Sequence, residues 1–298
     1  MLEESSEHTL VGVVCQPDRP SGRDLNPRPP AIKTEALERG IPVFQPQRIR
    51  EPAFLETLAS LAPDLMVVVA YGQILPRSVL FLPPLGCINL HASLLPRHRG
   101  ASPIHRAIAE GDEITGITVI HMDEGLDTGA ILLADATPIG PDETAGQLHD
   151  RLAKVAADSL SKALDLLASG SAPRIPQDNA LATLTGKLSK EDGCIDWSRP
   201  APNLARHVRA MSPWPGAFTR FRSGTATLKV HSAFATEESG EPGIVLASGP
   251  KGLVVAAGKG SLNLQSVQLE GRKRLSIAEF LRGYPVAVGE RFEGKPTA

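Results

Sequence analysis

The chain is poor in the features that mark several large protein classes. Its three cysteines, Cys15, Cys87 and Cys194, lie far apart and form no CxxC pair. That excludes a disulfide framework and a zinc ribbon, and it fits reduced thiols in a cytosolic protein. No apolar run approaches the roughly 18 residues that a membrane span needs. The start, MLEESSEHTL, is acidic and polar, unlike a secretory signal. Signature motifs are missing as well. There is no GxGxxG after a strand, no GxxxxGK[ST], no HExxH and no GxSxG, which argues against the common dinucleotide, P-loop, zinc-protease and serine-hydrolase sites. No internal repeat or low-complexity tract is present.

What remains is an ordinary globular composition, 42% hydrophobic over 298 residues. That length suits two domains, since single cores rarely grow past about 250–300 residues. The first half alternates short apolar runs with helical patterns. TLVGVVCQ (9–16), DLMVVVAYG (64–72), GCINLHAS (86–93), ITGITVIHMD (114–123) and GAILLADATPI (129–139) read as strands. The stretch 144–170 reads as a long amphipathic helix ending at Gly170. This alternation predicts a doubly wound α/β domain over 1–170, with any ligand at the carboxyl ends of its strands. A Pro-containing polar stretch, 171–202, reads as a linker. Beyond it, short strands separated by turn residues predict a small β-barrel of OB type over 203–298.

The net charge of −2 conceals an asymmetry. Residues 1–170 carry 14 Lys and Arg against 22 Asp and Glu, whereas 171–298 carry 17 against 11. A basic module beside an acidic one suggests a polyanionic partner, with a plain surface-charge accident as the alternative.

The strand at 86–93 poses the chemical question. Asn89 and His91 stand two residues apart and so share a face at its carboxyl end. A side-chain amide there can donate to an oxygen gaining negative charge, and an imidazole can move protons near neutral pH. Two satisfied structural polar groups would look the same. A third group, Asp127, sits in MDEGLDTGAILL (122–133) between Gly125 and Gly129, in a loop joining two strands. A carboxylate beside an imidazole favours its charged form and orients it. His98, His105, His121, His149, His207 and His231 lack ligand-like spacing, and Cys87 reads as a small buried thiol.

With those residues in place, CINLHASLLPRHRGASPIHRAI and GLDTGAIL resemble the 10-formyltetrahydrofolate-dependent formyltransferases. QPDRPSGR, VVVAYGQILP, LSKEDGCIDW and PWPGAF resemble the branch of that family that acts on methionyl-tRNA. The similarity runs from about residue 8 to 292. It implies a Rossmann-like formyltransferase domain followed by an OB-like tRNA-binding domain. The activity implied is transfer of a formyl group from 10-formyltetrahydrofolate to the α-amine of methionyl initiator tRNA, in translation initiation, by a cytoplasmic monomer. Carried over, Asn89 and His91 would stabilise the tetrahedral oxyanion and Asp127 would orient His91 and assist proton loss. Ser93, Leu94, Leu95 and Pro96 would line the folate site, with the loop after Tyr71 and Gly72 around the pterin ring. No metal is implied, because a formamide-like donor activated by hydrogen bonds needs no Lewis acid.

Two departures from the family pattern stand out. The family begins with a further interior strand and a Gly-Thr-Pro-type loop, absent here, so the sheet is expected to show a gap with unpaired backbone on both sides. The family's basic loop after Gly-Arg is also diluted, with Asp24, Leu25 and Asn26 leaving Arg23, Arg28 and Lys33. Three alternatives remain open on sequence grounds: formylation of an amino-sugar nucleotide or other small amine, a formyltetrahydrofolate hydrolase domain, or an impaired folate- or tRNA-binding remnant.

Overall fold

A computed structural model describes residues 8–21, 26–222 and 224–295. Residues 22–25, which hold Arg23, Asp24 and Leu25 of the diluted basic loop, lie outside the described residues. The chain forms two compact units. One comprises residues 1–96, 117–135 and 155–182; the other comprises 97–116, 136–154 and 183–298.

In the first unit, Val13–Val14 pairs in parallel with Val43–Phe44, as a two-stranded sheet. A separate four-stranded sheet runs in the order Met66–Val68, Cys87–His91, Ile114–His121, Ile131–Pro138. Among the described residues, Val13–Val14 and Met66–Val68 each hydrogen-bond a single neighbouring strand. Both are only half-buried, whereas the doubly flanked Cys87–His91 is buried at Cys87, Ile88, Leu90 and His91. Ile49, Phe54, Leu58 and Val79 form a core cluster, against which Val14, Phe44, Tyr71 and Leu75 pack. Pro52 opens its helix at the first turn, where a missing N–H costs nothing.

The four-stranded sheet is mixed. Cys87–His91 runs parallel to Met66–Val68 but antiparallel to Ile114–His121, with Ile88 opposite His121 and His91 opposite Thr118. The stretch expected to link domains is ordered. Ile175 pairs with Ile131 through bonds of 2.8 and 3.0 Å, and Ile195 and Trp197 are buried.

The second unit is rich in antiparallel sheet. Its strands run Ala217–Phe221, Ala226–Thr236, Ser261–Leu269, Gly252–Ala256, Val245–Gly249, with Leu275–Ser276 added to Ser261–Leu269. The expected barrel is not closed by a strand ladder. Instead residues near the C-terminus bond both edges: Glu293 exchanges backbone bonds of 2.9 and 2.7 Å with Arg220, while the Phe292 N–H donates to the Gly243 carbonyl at 2.7 Å. Aromatic packing sits behind this seam, with Phe221 5.6 Å from Phe292 and 6.4 Å from Phe280 between ring centroids. Ser276 and Glu279 cap the helix Ile277–Gly283 reciprocally.

Phe221 is fully buried, so Phe221→Ala is expected to cost about 3–5 kcal/mol of stability. Urea unfolding checks this; a loss under about 1 kcal/mol would mean that the ring cluster is not the core of this unit.

Candidate active site

The site is built on a rigid strand. Cys87–His91 is a buried five-residue strand with hydrogen-bonded neighbours on both sides. Period-2 alternation puts Cys87, Asn89 and His91 on one face. His91 is 6% exposed and Asp127 16%. The Asn89 Nδ2 lies 3.5 Å from Asp127 Oδ1, and His91 Nδ1 lies 3.6 Å from Asp127 Oδ2. The three sequence-predicted groups therefore converge, one carboxylate oxygen facing the amide and the other the imidazole. These separations are at or just beyond hydrogen-bond length, the spacing common in catalytic groups that tighten around a bound substrate.

Asp127 does not arrive as a parallel sheet would deliver it. Because Ile114–His121 is antiparallel to Cys87–His91, the chain leaves His121 beside Ile88, and the Met122 N–H donates to the Cys87 carbonyl at 2.8 Å. The 122–130 loop must then turn back toward His91. Asp123 holds the turn, its Oδ1 accepting from the Gly125 N–H at 3.0 Å and the Thr128 hydroxyl at 2.7 Å. Gly129 passes so close to the His121 carbonyl that a Cβ would sit 1.8 Å from its oxygen. Asp127 itself adopts a left-handed φ of +53°, a conformation Asp tolerates better than most residues.

After His91 the chain is gripped from below. The Thr118 hydroxyl donates to the Ser93 carbonyl at 2.6 Å and accepts from the Leu95 N–H at 3.1 Å. Ser93 and Leu95 are buried, Leu94 and Pro96 half-buried, and the Leu95–Pro96 peptide is cis. These four residues thus form a fixed wall immediately after His91. Elsewhere in this unit, Val69, Ile74 and Leu126 are exposed apolar side chains, and Arg77 pairs with Glu124 at 2.6 Å.

Sequence reading missed two features. Gln177, inside the supposed linker, donates from Nε2 to the carbonyls of Asp127 and Gly129, both at 2.8 Å. Its Pro-rich surroundings gave no motif by which to find it. In the second unit, His98, Glu110 and Asp112 gather in ligand-like fashion. Arginines already occupy those acids: Arg97 reaches Asp112 at 2.7 Å and Arg106 reaches Glu110 at 2.7 Å. His98 Nε2 is 2.6 Å from Asp112, so the group reads as a closed ion-pair cluster.

Comparison with known proteins places this geometry. The family profile described as Formyl transferase matches residues 1–164, and the Formyl transferase, C-terminal domain profile matches 187–285. Together these matches define a formyl-transferring enzyme with a Rossmann-like N-terminal part and a sheet-rich C-terminal part. The methionyl-tRNA formyltransferase of Geotalea daltonii is 50% identical over 97% of this chain and 92% of its own length. That of Geobacter sulfurreducens is 48% identical over 98% and 90%. The chain belongs to the methionyl-tRNA formyltransferase family. Among solved structures, HypX from Aquifex aeolicus in complex with tetrahydrofolic acid aligns with a TM-score of 0.62 at 18% identity, covering 97% of this chain; the chain spans about half, 51%, of HypX. An N-formyltransferase from Helicobacter canadensis, in complex with folinic acid and dTDP-3-aminofucose, aligns at 0.60 and 13% identity over 86% and 99%. At such identities the likeness carries the fold alone.

Burial pushes the Cys87 thiol up to about 11, so on this face it is no nucleophile at neutral pH. Cys87→Ala is expected to keep formyl transfer within about threefold of wild type, and Cys87 to resist alkylation at pH 8 until the protein unfolds. Rapid native labelling at Cys87 would show that the strand is not shielded as described.

Proposed function

We propose that the protein transfers the formyl group of 10-formyltetrahydrofolate to the α-amino group of methionine carried by initiator tRNA, and that Asn89, His91 and Asp127 perform the chemistry. The meeting of these three groups beside the buried Cys87–His91 strand carries the reading. Its acceptor follows from the relatives, which match at about half identity over nearly their whole length and bear the name methionyl-tRNA formyltransferase.

The amine attacks the formyl carbon, a carbon–nitrogen bond forms, and the carbonyl oxygen takes up negative charge. An amide has two N–H donors; with one turned to Asp127, the Asn89 side chain has a second for that oxygen. A His91 N–H supplies a further donor to that oxygen. As the intermediate collapses, the bond to the folate N10 breaks. The proton shed by the attacking nitrogen passes to the Asp127 carboxylate, directly or through a water, and from there to that leaving nitrogen. Atoms and charge balance with no further reactant.

Ser93, Leu94, Leu95 and Pro96 would hold the folate tail against the strand end, with exposed Val69 and Ile74 offering apolar surface for the pterin. We assign catalysis to residues 1–170, a connecting role to 171–202 and tRNA binding to 203–298. On this reading the C-terminal sheet is an OB-like module whose seam residues 291–293 complete. Arg272, Lys273 and Arg274 are consecutive and exposed on it, suited to phosphate contact. A cytoplasmic monomer is the simplest form for such an enzyme; no helix among the described residues is long and apolar enough to cross a membrane.

Formylation of charged initiator tRNA, with an amino-sugar nucleotide as control acceptor, tests the acceptor; transfer to the sugar alone would overturn it. His91→Ala is expected to lower kcat at least about 10²-fold with little change in tRNA affinity. Near-normal turnover in that variant would refute the assigned chemistry. Neutralising Arg272, Lys273 and Arg274 should weaken tRNA binding and lower its dependence on log salt by about 0.7–0.9 for each phosphate no longer neutralised. An unaltered slope would place that cluster away from the RNA.

A further inference from the structure

The carboxylate that completes the site is mounted on the least regular backbone near it. Asp127 has a positive φ and sits in a loop that leaves the sheet beside Ile88 and turns back toward His91. The Asp123 side chain bonds Gly125 and Thr128, within the loop itself. Those bonds shape the turn without tying it to the rest of the unit. Ties from outside are the exposed Arg77–Glu124 pair at 2.6 Å and, at Asp127 itself, Gln177. Gln177 Nε2 donates to the Asp127 carbonyl and to the Gly129 carbonyl at 2.8 Å each. One primary amide thus spends both N–H groups on two carbonyls that flank Thr128, a fork that a carboxylate or a methylene chain cannot reproduce.

Gln177 is itself firmly placed. Two residues before it, Ile175 exchanges backbone bonds of 2.8 and 3.0 Å with Ile131. Further upstream, the Pro173 carbonyl lies 3.1 Å from His121 Nε2. The segment 173–177 is therefore braced against both ends of the loop, at His121 and at Ile131, while Gln177 holds its middle. His121 stays a neutral anchor, since burial lowers its pKa.

We propose that Gln177 is a positioning residue for formyl transfer: its side-chain amide pins the backbone on which the Asp127 carboxylate reaches Asn89 and His91. This rests on the catalytic reading given above. Gln177 touches no reacting atom; it acts through Asp127. Without the fork, the carboxylate wanders while the strand-borne amide and imidazole stay put. A misplacement of about 1 Å in a reacting group can cost on the order of 10²-fold in rate.

Gln177→Met keeps length and neutrality and removes both donors. It is expected to lower kcat by about 10- to 100-fold while KM for each substrate and the tRNA Kd stay within about twofold. In an Asp127→Ala background the same change is expected to cost less than about twofold, because its effect passes through a group already removed. Two losses that multiply, or a loss seen only in KM, would overturn the proposal. Amide hydrogen exchange gives a readout free of turnover: protection across 123–129 is expected to fall in Gln177→Met while the Cys87–His91 strand keeps its own. Unchanged protection in the loop overturns the clamp. A wild-type protein that fails to formylate methionyl-tRNA would refute the proposed function instead, with the exchange experiment still deciding for or against the clamp.

Discussion

The antiparallel pairing of Cys87–His91 with residues 118–121 is the constraint on which the site depends. Its register places Thr118 opposite His91 and His121 opposite Ile88. From that single fact follow the direction in which the chain leaves the sheet, the need for a loop that turns back, and the bare Cα at Gly129 against the His121 carbonyl. The same pairing puts the Thr118 hydroxyl under the segment after His91, where it bonds both Ser93 and Leu95. One strand thus fixes the wall proposed for folate and launches the loop that carries the carboxylate. A parallel neighbour would have delivered the loop at the far end of a crossover, with neither contact available.

Rigid and adjustable parts are divided accordingly. Amide and imidazole are mounted on a buried strand with partners on both sides, so their positions are set before any substrate arrives. The carboxylate is mounted on a turn with a left-handed residue and reaches the other two at 3.5 and 3.6 Å. Oxyanion donors, the role proposed for the strand-borne pair, gain most from being pre-oriented, while the carboxylate depends on the Gln177 bonds for its place.

Much of this was legible in the sequence, for reasons that can be named. Asn89 and His91 follow from period-2 alternation in an apolar run, a pattern that survives any choice of neighbour. The C-terminal strands follow from regular turn spacing. Strand direction was not legible, because an apolar run such as ITGITVIH reads the same in parallel and antiparallel pairing. Nor were the isolated backbone bridges at Arg220 and Ile244, which carry no side-chain signature. Gln177 escaped for a related reason. Its role is to donate to two main-chain carbonyls, and such a role leaves no periodicity and no characteristic partner residue in the chain. The Pro-rich composition around it suggested a loose connection, yet the bonds of Ile175 to Ile131 show that prolines can flank an ordered segment as readily as a free one.

The neighbours of Cys87–His91 differ on its two sides. Val13–Val14 and Met66–Val68 have one strand neighbour each among the described residues, and beside them the Tyr71 hydroxyl is buried with no hydrogen-bond partner there. Gln16 crosses toward this region, its Nε2 donating to the Tyr71 carbonyl at 2.9 Å. Cys87–His91 is flanked on both sides and buried at four of its five residues. The hydrogen bonds that fix the Cys87–His91 backbone run to Met66–Val68 on one side and to residues 118–121 on the other. Asn89 and His91, the pair proposed to stabilise the oxyanion, therefore do not depend on Met66–Val68 alone for their place.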